Sequence, residues 1–226
     1  MFSEAGLWQV LHRLGLHYRQ GWEHILSPDP LAELKLAWLE AALTRARLYP
    51  QRVVALWLDE FTFYRQPAPA PAWADGRARR GPRARKTPGS NTKARVVAAL
   101  HHHSGQVHYL LRSRCGVAQL AQFYHQLRAL YPDAEELYVI QDCWPVHFRP
   151  QLTHLAVRLH ISLLPLPTYS SWRNPIEKLW RWLRQSVLHM HPWADDWPRL
   201  KLEVSRFLDR FAQPSPSLLR YVGLSY

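Results

Sequence analysis

The chain has 226 residues, enough for one sizeable domain with a small appendage. A composition that is 47% hydrophobic with eleven Trp excludes a disordered chain, and two cysteines exclude a disulfide scaffold or a cysteine zinc site and fit a reducing cytoplasm. The formal net charge of +12 and pI of about 10.2 favour polyanions (DNA, RNA or an anionic membrane) as partners. No apolar run nears the ~20 residues that span a bilayer. The start, Met1-Phe2-Ser3-Glu4-Ala5-Gly6, lacks the basic and apolar regions of a secretory signal, so the membrane is the weaker reading of the charge.

Residues 3–15 are expected to form a short helix. Ser3 can cap it, Leu7, Val10, Leu11 and Leu14 recur at helical spacing, and Gly15 can close it. The turn-prone Ser27-Pro28-Asp29-Pro30 leads to a helix near 30–48 that Pro50 stops. Residues 53–58 are apolar without alternation, as in a central strand covered on both faces, and Asp59 ends that run. Pro67-Ala68-Pro69-Ala70-Pro71 cannot sit in a regular ladder. Arg77, Arg79, Arg80, Arg83, Arg85, Lys86, Lys93 and Arg95 follow with no acid among them, marking a loop that faces solvent or a polyanion. Strands over 94–102 and 106–112 read as a hairpin across Ser104-Gly105. A helix over 117–130, a strand over 136–141 ending at Asp142, a helix near 148–159 and a strand over 161–164 come next. Helices at 175–189 and near 197–212 precede a Pro/Ser-rich tail.

This order predicts an α/β fold, a mixed sheet with helices on both sides. Right-handed crossovers place strand 137–141 beside and parallel to strand 53–58. Asp59 and Asp142 then lie at the C-terminal strand ends, the usual ligand site of open α/β sheets. Glu177 opens the helix that follows. Three converging carboxylates suit hard cations such as Mg²⁺ or Mn²⁺.

Each acid also has a plainer reading. Asn174 as N-cap and Pro175 as first helical residue would make Glu177 a capping-box acid, although it lies at the edge of the apolar stripe Ile176, Leu179, Trp180, Leu183 and Val187. Asp59 and Asp142 could each simply begin a turn, and Glu60 should point away from Asp59 because strand side chains alternate. The basic run is either a solvated loop or a clamp on the DNA backbone, with Trp73 beside it able to stack on a splayed base or to pack. His101-His102-His103 has no nearby acids and makes a poor metal site.

Leu58-Asp59-Glu60, Gln141-Asp142-Cys143-Trp144-Pro145-Val146-His147 and the block from Pro167 through Asn174-Pro175-Ile176-Glu177 to Trp180 together resemble the DDE transposases of the mariner-type superfamily, in the bacterial insertion-sequence branch. Thirty-four residues separate Asp142 from Glu177, a spacing characteristic of that branch. The resemblance implies a ribonuclease-H-like fold with a mixed five-stranded sheet flanked by helices. It also implies two Mg²⁺, with Mn²⁺ as substitute, on Asp59, Asp142 and Glu177, with His147 and Asn174 as auxiliary residues. The implied activity is cleavage of transposon ends and strand transfer into target DNA. Double-stranded DNA and a homodimeric synapse would be the partners, near the nucleoid. Cys143 stands where the family usually has Asn; its sulfur could alter metal preference or only pack. Ser171-Trp172-Arg173 replaces the usual Pro-Asp/Glu-Leu.

On this reading residues 51–212 form the catalytic domain and 213–226 a tail. Residues 1–50 are a helical segment whose first helix resembles the recognition helix of a helix-turn-helix region, the remainder of which a separate polypeptide could supply. Two alternatives share the chemistry or the charge: an inactive DNA-binding remnant, and a ribonuclease-H-like nuclease on RNA–DNA hybrids.

Overall fold

The computed structural model describes residues 3–17, 27–73 and 81–224. Helix α1 (Glu4–Arg13) has the expected cap, Ser3 Oγ accepting from Gly6 N at 3.1 Å, and none of its residues is buried. Helix α2 (Ala32–Leu48) instead sets Ala42 and Ala46 into the interior. Then come β1 (Val53–Tyr64), β2 (Lys93–His101), β3 (Val107–Arg112), α3 (Val117–Leu130), β4 (Glu136–Gln141), α4 (Pro150–Arg158) and β5 (Ile161–Pro165). Helices α5 (Ile176–Leu183), α6 (Trp197–Asp209) and α7 (Pro216–Val222) complete the chain, α5 running on through a π turn at Arg184–Leu188.

The five strands form one mixed sheet in the order β3-β2-β1-β4-β5. β1, β2 and β3 pair antiparallel, while β4 is parallel to both β1 and β5. The architecture is the expected α/β one. Its two cores explain the apolar run of β1. Ala55, Trp57, Phe61 and Phe63 face one core, with α5, α6 and α7; Val54, Leu56 and Leu58 face the other, with α3 and α4. A strand covered on both sides shows no hydrophobic alternation.

Two expectations are corrected. β1 does not stop at Leu58: it runs to Tyr64 because its pairing with β2 continues from Leu56 through Tyr64. Phe61 stacks on Trp180 (centroids 5.1 Å apart) and Phe63 lies against Trp197, so the extension has its own apolar cover. Asp59 therefore lies within a strand, at the point where β4 leaves it. Residues 213–226, expected as a tail, carry α7. Ser215 Oγ caps Leu218 N (3.2 Å), Pro216 takes the first turn, and Leu218 and Val222 are buried one turn apart. Lys178 Nζ donates to Val222 O (2.8 Å), fastening α7 to α5. No helix of the described residues is long and apolar enough to cross a membrane.

Candidate metal and nucleic-acid site

The β1–β4 register fixes the first two acids. Trp57 pairs with Ile140 at the last parallel rung, and Asp59 and Asp142 each lie two residues beyond it. Alternation turns Asp59 to the face that carries α5, where its Oδ2 accepts from Trp180 Nε1 (2.9 Å). Burial, then the charges of Glu177 and Glu60, push its pKa up to about 8, and the Trp180 bond does not offset them.

Glu177 enters from the opening of α5. The backbone N–H that a capping box would use, that of Asn174, goes instead to Ser171 O (2.8 Å). Asn174 itself is buried; its Oδ1 accepts from Ile176 N (3.3 Å) and its Nδ2 donates to Leu58 O (3.0 Å), the carbonyl just before Asp59. This side chain ties the start of α5 to β1. Burial raises the pKa of Glu177, Arg184 opposes the rise, and the charge of Asp142 adds to it. The charge of Glu177 thus acts on Asp59, and the charge of Asp142 acts on Glu177.

Asp142 is half-buried, its side chain 43% exposed. Its Oδ1 accepts from Trp144 N (3.0 Å). Burial pushes its pKa up, but His147 and the Trp144 N–H outweigh that and hold it below the ordinary value. His147 is buried, with Nε2 3.4 Å from Asp142 Oδ1 and 3.5 Å from Glu60 Oε2. Burial alone would lower its pKa, yet the two acids carry it up to about 9.

Sequence reasoning missed two participants. Glu60 does point away from Asp59, but it points into cover, not solvent: its Oε1 is buried without a hydrogen-bond partner. The unalternating apolar run carried that signal, since a strand covered on both faces sends both neighbours inside. Trp180 belongs to the apolar stripe of α5, and its spacing carries no sign of the bond to Asp59. Cys143 packs: its Sγ donates to Leu166 O (3.0 Å) and receives Lys35 Nζ at 3.6 Å.

The basic run is divided by the fold. Arg83, Arg85 and Lys86 are exposed in the loop before β2, while Lys93 (exposed) and Arg95 (half-buried) belong to β2 itself. Arg77, Arg79 and Arg80 lie outside the described residues. Trp73 is fully exposed. The His101–His103 stretch serves structure: His101 Nδ1 accepts from the backbone N–H groups of His103 and Ser104 (both 3.2 Å), and His102 Nδ1 accepts from Trp57 Nε1 (3.0 Å).

Carboxylates such as Asp59, forced toward its neutral form by burial and then by the charges of its neighbours, are a donor set that a hard divalent cation would relieve. The residues present fit such an ion. Among the described residues, the group whose ligand atoms already lie within 4.8 Å of one another is Glu60, Asp142 and His147.

Comparison with known proteins bears on the fold and the family. Over 198 residues the chain is 26% identical to the insertion element IS630 uncharacterized 39 kDa protein of Shigella sonnei, covering 86% of this chain and 55% of that protein. The chain thus spans about half the length of that relative. The fold is similar to the Mos1 mariner paired end complex with Mg (TM-score 0.64, 16% identity, 98% of this chain and 68% of that one). It is equally similar to the Mos1 mariner paired end complex with Mn (TM-score 0.63, 17% identity, 98% and 67%). Residues 54–198, which contain all three acids, match the family described as DDE superfamily endonuclease, and the chain belongs to that family.

Proposed function

We propose that this chain is the catalytic body of a DNA transposase that cleaves transposon ends and joins the freed 3′-OH to target DNA. The observation that supports the proposal is that the charge of Glu177 acts on Asp59 and the charge of Asp142 acts on Glu177, the acids being carried by β1, the end of β4 and α5. Asp59, Asp142 and Glu177 would hold two Mg²⁺, or Mn²⁺ in their place. When bound, such ions activate the attacking water or 3′-OH and stabilise the leaving oxygen of an in-line displacement. Asp59 must release its proton to serve as a ligand. Trp180 and Asn174 hold Asp59 and the start of α5 in register, so the geometry is set before DNA arrives.

The substrates would be double-stranded DNA, both transposon end and target, bound by a homodimer in the synapse. The cell's nucleoid would be the place of action. The direct test is Asp142→Asn on a duplex carrying the inverted repeats that flank the coding sequence. Nicking and joining should vanish while duplex binding persists; a variant that cuts and joins at the wild-type rate would refute the assignment.

The exposed cations before β2 would clamp the phosphate backbone. Replacing Arg83, Arg85 and Lys86 together by Ala should weaken duplex binding regardless of sequence. It should also flatten the slope of log K against log[salt] by up to about 2.7, from ~0.9 per lost phosphate contact. Fluorescence anisotropy across a salt series reads this out, and an unchanged slope would place the DNA elsewhere.

A further inference from the structure

We propose that Glu60, Asp142 and His147 form a second cation site, for a borderline first-row ion of the Zn²⁺ or Co²⁺ type, on the opposite side of Asp142 from Asp59 and Glu177. The site needs only these three residues; its effect on catalysis rests on the function proposed above.

His147 is the key observation. Its side chain is 1% exposed, and neither ring nitrogen has a hydrogen-bond partner. Nδ1 has no partner at all, and Nε2 has only two long ion-pair contacts, an incomplete set for a buried imidazole. Nε2 faces Glu60 Oε2 at 3.5 Å and Asp142 Oδ1 at 3.4 Å. Those separations exceed the ~2.7–3.2 Å of ordinary N–H···O bonds. They match two ligands sharing a tetrahedral ion, because bonds of about 2.0–2.1 Å give an edge of about 3.3–3.4 Å. The three ligand atoms lie within 4.8 Å of one another, close enough for a small side-chain adjustment to bring all of them onto one ion.

Donor chemistry sets the class of ion. One imidazole with two carboxylates suits Zn²⁺, Co²⁺ or Mn²⁺, whereas Mg²⁺ prefers an all-oxygen shell. Asp142, the exposed member, opens the fourth position and the route of entry, while Glu60 and His147 close the other side. Because Asp142 belongs to both sets, an ion here draws its carboxylate toward Glu60 and away from Asp59. Filling this site therefore opposes Mg²⁺-dependent cleavage.

The test is Co²⁺ titration of the full chain, stripped with EDTA, followed by its visible ligand-field absorption. Asp59→Asn, with the three-acid site disabled, should give a band that saturates near one equivalent, and wild type should show the same band. His147→Gln and Glu60→Gln should bind Co²⁺ at least about tenfold more weakly. X-ray absorption of the wild-type complex should show one imidazole among oxygen ligands, a readout that needs no variant to fold. Absence of any band, a band unchanged in His147→Gln, or an imidazole-free shell would overturn the proposal. A band lost in Asp59→Asn but kept in His147→Gln would do so as well, and would leave the three-acid assignment standing.

Discussion

Replacing Asp59 by Asn is expected to abolish DNA cleavage and, in the absence of metal, to make the protein more stable. The two effects share one cause. Asp59 is held among carboxylates in a buried position, and its pKa stands at about 8 against an ordinary 3.8. Below pH 3.8 both folded and unfolded chains keep the proton, and the site costs nothing. Between 3.8 and about 8 the unfolded chain gives up the proton and the folded chain retains it, so stability falls as pH rises. Each unit of separation is about 1.4 kcal/mol, which makes the full penalty on the order of a few kcal/mol. Asn removes the ionisation and keeps an acceptor for Trp180 Nε1. Urea unfolding in EDTA should therefore show the variant close to wild type at pH 4 and more stable by a few kcal/mol at pH 8. Cleavage should drop by more than about 10²-fold, because one ligand of the reacting centre is gone. A variant less stable than wild type at pH 8 would mean that Asp59 is not electrostatically frustrated.

Asn174→Ala should be the most damaging change among residues that carry no charge. It removes the donor to Leu58 O in the buried junction between β1 and α5, leaving that carbonyl unpaired, and it removes the acceptor of Ile176 N. An unsatisfied buried group costs about 1–3 kcal/mol. The larger consequence is positional. Glu177 is three residues beyond Asn174, so a start of α5 freed from β1 carries Glu177 away from Asp59. A displacement on the order of 1 Å is enough to cost about 10²-fold in rate. Thermal melts and single-turnover nicking together check this. A variant that loses stability but cleaves normally would show that Asn174 serves folding alone.

Much of this was legible because the signals were local. The helical repeat of Ile176, Leu179, Trp180, Leu183 and Val187 marked the buried face of α5, and all five are buried. The apolar runs at Val53 and Leu137 announced central strands, and the parallel register sets Asp59 and Asp142 at equal offsets from it. What escaped depends on contacts distant in sequence. β1 continues past Asp59 only because β2, some 35 residues later in the chain, pairs with it from Leu56 to Tyr64. Nothing in Asp59-Glu60-Phe61 states that partner. A Pro/Ser-rich tail carries no signal of its own for α7: Ser215 and Pro216 start a helix because Leu218 and Val222 have a core to enter. Glu60 and His147 meet through the packing of one face of β1 against the segment after β4, and no spacing rule encodes that meeting. The Trp180 bond to Asp59 likewise follows from the angle at which α5 docks.

The most direct measurement is anomalous diffraction from crystals of the full chain grown with Mn²⁺ and a DNA end. Manganese should appear bound by carboxylate oxygens of Asp59 and Asp142, with Glu177 completing the shell. Manganese bound only by Glu60, Asp142 and His147, or absent from Asp59 altogether, would contradict the assignment of the three acids as the reacting centre.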